Sequence, residues 1–92
     1  MKYYDWSESK NQKLRETRNI SFEEVILAVS KGGLLDVVRN PNVEKYPNQK
    51  MMIVKLFDYA YIVPFIEDDE KYFLKTIYPS HDATSKYLKK EK

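Results

Sequence analysis

The chain predicts an α+β fold, an antiparallel sheet with two N-terminal helices on one face and a short C-terminal helix. Three observations carry this. Helical spacing and capping signals cluster between residues 7 and 31, while three β-rich runs with very short connections fill the second half. Strands that close in sequence can pair only as antiparallel hairpins. With 92 residues, 42% of them hydrophobic and only two glycines, there is material for one core, so residues 1–92 form a single domain.

Tyr3, Tyr4 and Trp6 form an aromatic opening that reads as a strand. Ser7 can cap the helix that follows, over Glu8 to Arg18, with Glu8 in its first turn. That helix has essentially one apolar residue, Leu14, so it packs by a narrow stripe and leaves Lys10, Lys13 and Arg18 towards solvent. Ser21 and Glu24 have the spacing of a capping box, with Ile20 and Val25 as its hydrophobic staple. Phe22, Val25, Ile26 and Val29 recur at helical spacing, predicting a second helix from Phe22 to Lys31 that Gly32 and Gly33 end. Leu34 to Val38 reads as a strand, and Asn40-Pro41-Asn42 with Tyr46-Pro47-Asn48 as a loop. Met51 to Phe57, Tyr59 to Ile66 and Tyr72 to Tyr78 then form a meander, turning at Asp58 and at the acidic block Glu67-Asp68-Asp69-Glu70. Pro64 has no amide to give a ladder, so a bulge or a locally unpaired position is expected there. A last helix, Asp82 to Lys90, starts acidic and ends in lysines, in agreement with the helix dipole. The predicted order is β-α-α-β-β-β-β-α, with the helices on one face of the sheet.

Composition excludes several classes of function. The chain has no cysteine and one histidine, His81, so disulfides, thiolate metal sites and cysteine nucleophiles are absent and a zinc site has no ligand set. This composition fits a reducing cytoplasm. No apolar run is long enough to cross a bilayer or to resemble a signal peptide, so neither export nor membrane insertion is expected. No Gly-rich phosphate loop and no cofactor motif is present. A core this small leaves little interior for an enclosed pocket, so any site is expected on an open face.

Net charge is only +2, but its distribution is uneven. From Lys71 onward, lysines 71, 75, 86, 89, 90 and 92 stand against Asp82 and Glu91, a local balance of +4, and the stretch 7–18 is also basic. Such polarity can steer a phosphate-bearing ligand to one side. Lys75, Tyr78, Ser80, His81 and Asp82 converge where the last strand meets the last helix. Metal-free cleavage of RNA needs a base for the 2′-hydroxyl proton, an acid for the leaving oxygen and a cation for the phosphate. His81 suits base or acid and Lys75 suits the phosphate, with Tyr78 and Ser80 beside them as further catalytic candidates. Lys10, Lys13, Arg18, Lys86 and Tyr87 are the candidate RNA contacts. Each has an ordinary alternative: His81 as a surface residue next to Asp82, Lys75 lying along a sheet edge, and most tyrosines as packing. Period-two spacing puts Lys75 with Phe73 and Ile77 on one face, and Tyr72, Leu74, Thr76 and Tyr78 on the other.

Trp6 with Lys10, then Ile20-Ser21-Phe22-Glu23-Glu24-Val25, and finally Lys75-Thr76-Ile77-Tyr78-Pro79-Ser80 followed by Ala83-Thr84 and Tyr87, resemble the BrnT-like toxins of bacterial type II toxin–antitoxin systems. The resemblance spans nearly the whole chain. It implies a RelE-like fold and a metal-independent ribonuclease that blocks translation, acting on mRNA free or on the ribosome. It further implies neutralisation by a ribbon-helix-helix antitoxin, whose dimer would hold two toxins and contact operator DNA itself. Lys10, Ser80, Ala83, Thr84 and Tyr87 fall on motif positions of that family. The chain departs from the pattern at Ser7, where the family favours aspartate, and at His81-Asp82, where it favours arginine-lysine. Either His81 serves as acid or base, or a catalytic cation is lost. The latter would leave a weakened or non-catalytic module acting as antitoxin partner and co-repressor.

Overall fold

The computed structural model describes residues 2–42, 44–45 and 47–88. Along the chain run β1 (Tyr3–Trp6), α1 (Glu8–Arg18), α2 (Phe22–Ser30), β2 (Leu34–Arg39), β3 (Gln49–Leu56), β4 (Tyr59–Glu67), β5 (Lys71–Leu74), β6 (Tyr78–Pro79) and α3 (His81–Tyr87). The sheet order is β1-β5-β4-β3-β2, with β6 pairing β4 beyond the end of β5. The α+β architecture and its antiparallel meander β2-β3-β4-β5 agree with the sequence. Residues 43, 46, 89 and 90, which the sequence assigns to the loop and the last helix, lie outside the described residues.

The helix starts are set by side chains. Ser7 Oγ accepts the Lys10 N–H, and Ser21 and Glu24 close a reciprocal capping box. At the end of α2, Gly32 adopts φ +89° and a Cβ on Gly33 would meet the Ala28 carbonyl oxygen at 2.8 Å, so both positions need glycine. Asn11, fully buried, joins the two helices: its side-chain oxygen accepts the Phe22 N–H and its amide donates to Glu23, both at 2.8 Å.

Several expectations are corrected. The sheet is mixed, because β1 pairs β5 in parallel, with Trp6 opposite Leu74. Two helices intervene between β1 and β2, so β1 can reach the far edge of the sheet, a pairing that local spacing does not encode. The run Tyr72 to Tyr78 is not one strand: β5 stops at Leu74 and β6 begins at Tyr78. Pro64 explains the break, since it sits opposite the gap, accepts the Lys75 N–H on its carbonyl at 2.8 Å and offers no N–H in return. On the β3 side Pro64 pairs with Met51 in unbroken register, while the bulge falls at Leu34/Asp36 in β2. Lys75 and Ile77 therefore do not share a strand face: Ile77 is fully buried in the same core as Leu74 while Lys75 is exposed, and Tyr78, opposite Ile62, falls on the face of Phe73 and not of Leu74.

The helices also divide between the two faces. Leu14, Ile20, Phe22 and Val25 pack with Met52, Val54, Val63, Phe65 and Leu74 on one side, where Trp6 stacks on Phe22 with ring centroids 5.5 Å apart. On the opposite side α3 lays Ala83, Tyr87 and Leu88 against Ile53, Ala60 and Ile62. Burial of Ile53 and Ile62, which alternation points away from α1 and α2, requires a cover there, and α3 supplies it.

Candidate functional site

The break at Pro64 shapes the site. Having left β5, the chain crosses residues 75–77, forms β6 and turns into α3 at Ser80, whose N–H donates to the Ala60 carbonyl at 3.0 Å. Ser80 Oγ accepts the Ala83 N–H at 3.1 Å, so the hydroxyl is the cap of α3. Thr84, which is buried, donates its hydroxyl to the Ser80 carbonyl at 2.8 Å and accepts the Ala60 N–H at 2.9 Å. The Ser80–Thr84 joint thus locks α3 onto the start of β4.

At the other end of α3, the Tyr87 hydroxyl donates to Asp36 Oδ2 at 2.5 Å. This bond, with the Val37 N–H on Oδ1, holds the Asp36 carboxyl below its ordinary range and pushes the Tyr87 phenol up. Between α3 and the sheet lies an open groove of about 460 Å³. Its rim includes Tyr78, Ser80, Asp82, Lys86 and Tyr87, and its floor is Val38, Met51, Ile53 and Ile62. The Lys86 ammonium stands 5.4 Å from the Tyr87 ring.

The structure brings Tyr78, Ser80, Lys86 and Tyr87 into this one groove. His81 follows Ser80 in the chain but is exposed, and its side chain makes no hydrogen bond or ion pair among the described residues. Lys75 is exposed on the segment leading to the groove, its ammonium 5.5 Å from the Phe73 ring. Arg18 reaches the same segment from α1 and donates to the Ile77 carbonyl at 2.6 Å, which commits one of its guanidinium nitrogens to the fold. Lys10 and Lys13 ride on α1, against the face opposite α3. Since β1 ends beside Leu74, α1 begins at the Lys75 end of the sheet. The acidic block is structural: Glu67 pairs with Lys2 and Lys50, and Asp68 accepts the N–H groups of Glu70 and Lys71, so both carboxyls are held low.

The sequence pattern alone does not single out Asp36. A lone carboxylate inside the apolar run Leu34–Val38 is the signal for Asp36; its partner Tyr87, 51 positions away, is visible only in the fold.

No protein-family model matches the chain, and no curated protein does. Among solved structures the crystal structure of the Brucella abortus ribonuclease toxin BrnT superimposes with a TM-score of 0.61, covering 87% of this chain and 97% of that one at 14% identity. The chain has the BrnT fold. At that identity the agreement lies in the path of the backbone, the level at which the sheet and three helices set the groove.

Proposed function

We propose that this chain is the toxin of a toxin–antitoxin pair and cleaves RNA at the face bearing α3. The observation that carries the reading is the BrnT fold over 87% of the chain, the matched protein being a ribonuclease toxin. The residue types around α3 support it. In the proposed reaction a base takes the 2′-hydroxyl proton, the 2′-oxygen attacks the adjacent phosphorus, and an acid protonates the departing 5′-oxygen. The products are a 2′,3′-cyclic phosphate and a free 5′-hydroxyl, and no metal or cofactor enters the step. His81 is placed as base or acid with Tyr78 as its complement, and Lys75 neutralises the phosphate as charge builds on it. Ser80 and Thr84 act through the fold, by holding α3.

The reading extends to partners and place. The toxin acts in the cytoplasm on mRNA, slows translation, and is neutralised by a ribbon-helix-helix antitoxin that contacts operator DNA on behalf of the complex. Two toxins on an antitoxin dimer is the assembly its symmetry favours. A second reading, a non-catalytic partner module, is favoured by one observation: no described residue hydrogen-bonds the His81 imidazole, so none fixes the ring for proton transfer.

Induced expression of the chain, alone and with the neighbouring small gene, tests both. Growth arrest relieved by the neighbour and removed by His81→Ala supports the ribonuclease toxin. Absence of arrest from folded, well-expressed protein supports the partner module and overturns the toxin reading.

A further inference from the structure

Beyond the groove, the half of this sheet face that α3 leaves open presents an aromatic ring between two cations. Phe73 stands opposite Ile66 on β4 and beside Asp5 on β1, and Ile66 is 38% exposed. The ammonium groups of Lys71 and Lys75 lie 5.8 and 5.5 Å from the Phe73 ring centroid. Lys71 is ion-paired with Asp5 at 3.3 Å, whereas Lys75 has no carboxylate partner among the described residues. Single-stranded nucleic acids bind where cations follow the backbone and aromatic rings take the bases. Tyr78, the next aromatic side chain in the sequence, pairs with Ile62 on β4, and Phe73 pairs with Ile66. Both partners point to the same face. They are four positions apart, roughly 14 Å at about 3.4 Å per residue. That span suits a few nucleotides, since stacked phosphates recur at about 3.4 Å along one strand.

We propose that Phe73 is a base-stacking platform for single-stranded RNA, with Lys75 holding the phosphate beside the stacked base and the strand running on towards Tyr78. The proposal rests on the reading of the chain as an RNA-acting protein and adds where the substrate lies and what holds it.

Fluorescence anisotropy with a labelled 2′-O-methyl oligoribonucleotide, which cannot be cleaved through its 2′-oxygen, tests it on the full chain. Phe73→Leu should weaken binding roughly tenfold and leave the salt dependence unchanged, because a stacked base is lost and no phosphate contact is. Lys75→Ala should reduce the slope of log affinity against log salt by about 0.7, the value for one phosphate on a single strand. Phe73→Trp should keep the affinity and show indole quenching on binding, over whatever change Trp6 gives in the parent chain. Unchanged affinity in Phe73→Leu, or an unquenched indole in Phe73→Trp, overturns the platform. Should Phe73→Leu lose its cooperative thermal transition, the Phe73→Trp quenching alone decides. Equal binding of a deoxy strand of the same sequence overturns the assignment to RNA. Binding is read without cleavage, so an inactive chain that still binds through Phe73 leaves the inference standing and removes only the ribonuclease.

Discussion

Tyr87 and Asp36, 51 residues apart, share a hydrogen bond of 2.5 Å that ties the last turn of α3 to the edge strand β2. The bond keeps Asp36 ionised to lower pH than usual and Tyr87 neutral to higher pH. A carboxyl lowered in the folded state adds stability above its unfolded pKa of about 3.9, lost as pH falls through the folded value. A phenol raised in the folded state adds stability below its unfolded pKa of about 10, lost as pH rises through the folded value. Tyr87→Phe should therefore lower the melting temperature on the plateau between about pH 4 and 10, and match the parent at both extremes. Thermal melts followed by circular dichroism across that range check this; an equal loss at pH 2 would mean the hydroxyl acts by packing.

Thr84 falls on a position that the sequence assigns to a family motif, yet its hydroxyl is buried and bonded to Ser80 and Ala60. Thr84→Val removes the acceptor and leaves the buried Ala60 N–H unpaired, a cost of about 1–3 kcal/mol. Thr84→Ser keeps the bond and should recover most of that. For a domain of this size, about 1 kcal/mol shifts the melting temperature by roughly 4–8 °C, well within a denaturation measurement. A valine variant as stable as the parent would show that water or another group reaches Ala60.

What the sequence reveals is local. The caps at Ser7 and Ser21, the two glycines after α2 and the short turns of the meander are each set by neighbours within a few positions, and they appear where the pattern places them. Non-local pairings are hidden: β1 against β5, α3 on the face opposite α1 and α2, and Asp36 under Tyr87. Pro64 lies between these cases. It announces an unpaired position, but only the fold shows that β5 and β6 separate there, which buries Ile77 and frees Lys75. The candidate residues at the end of the chain were legible because they sit close together in sequence, whereas the groove floor comes from β2, β3 and β4.

The β3–β4 hairpin turns through Phe57 and Asp58 with φ of +54° and +61°, both left-handed. Asparagine and glycine favour such a turn, whereas a bulky ring at positive φ is disfavoured by about 1–2 kcal/mol. Phe57 is 67% exposed, so its removal forfeits little packing. The double substitution Phe57→Asn with Asp58→Gly should stabilise the chain by about 1 kcal/mol, read as a higher denaturant midpoint at unchanged slope. A fall in stability would show that the ring's place in the surface hollow with Leu27 and Leu56, together with the lost Lys55–Asp58 ion pair, outweighs the turn strain.

His81 and Lys75 should fail differently if the proposed chemistry holds. A proton-transfer group acts mainly on the rate, so His81→Ala should slow single-turnover cleavage of an oligoribonucleotide by roughly 10²–10⁴-fold. Its affinity for the 2′-O-methyl analogue should stay near that of the parent, since the exposed His81 side chain makes no hydrogen bond or ion pair among the described residues and its removal breaks none. Lys75→Ala should weaken binding as well as rate, because an ammonium on phosphate acts in the ground state and more strongly in the transition state. Its loss of affinity should shrink as salt is raised. Full cleavage by His81→Ala would move the proton transfer to Tyr78, with Tyr78→Phe the next variant to measure. Cleavage lost by Lys75→Ala with affinity and salt dependence intact would place that ammonium on the reacting phosphate alone.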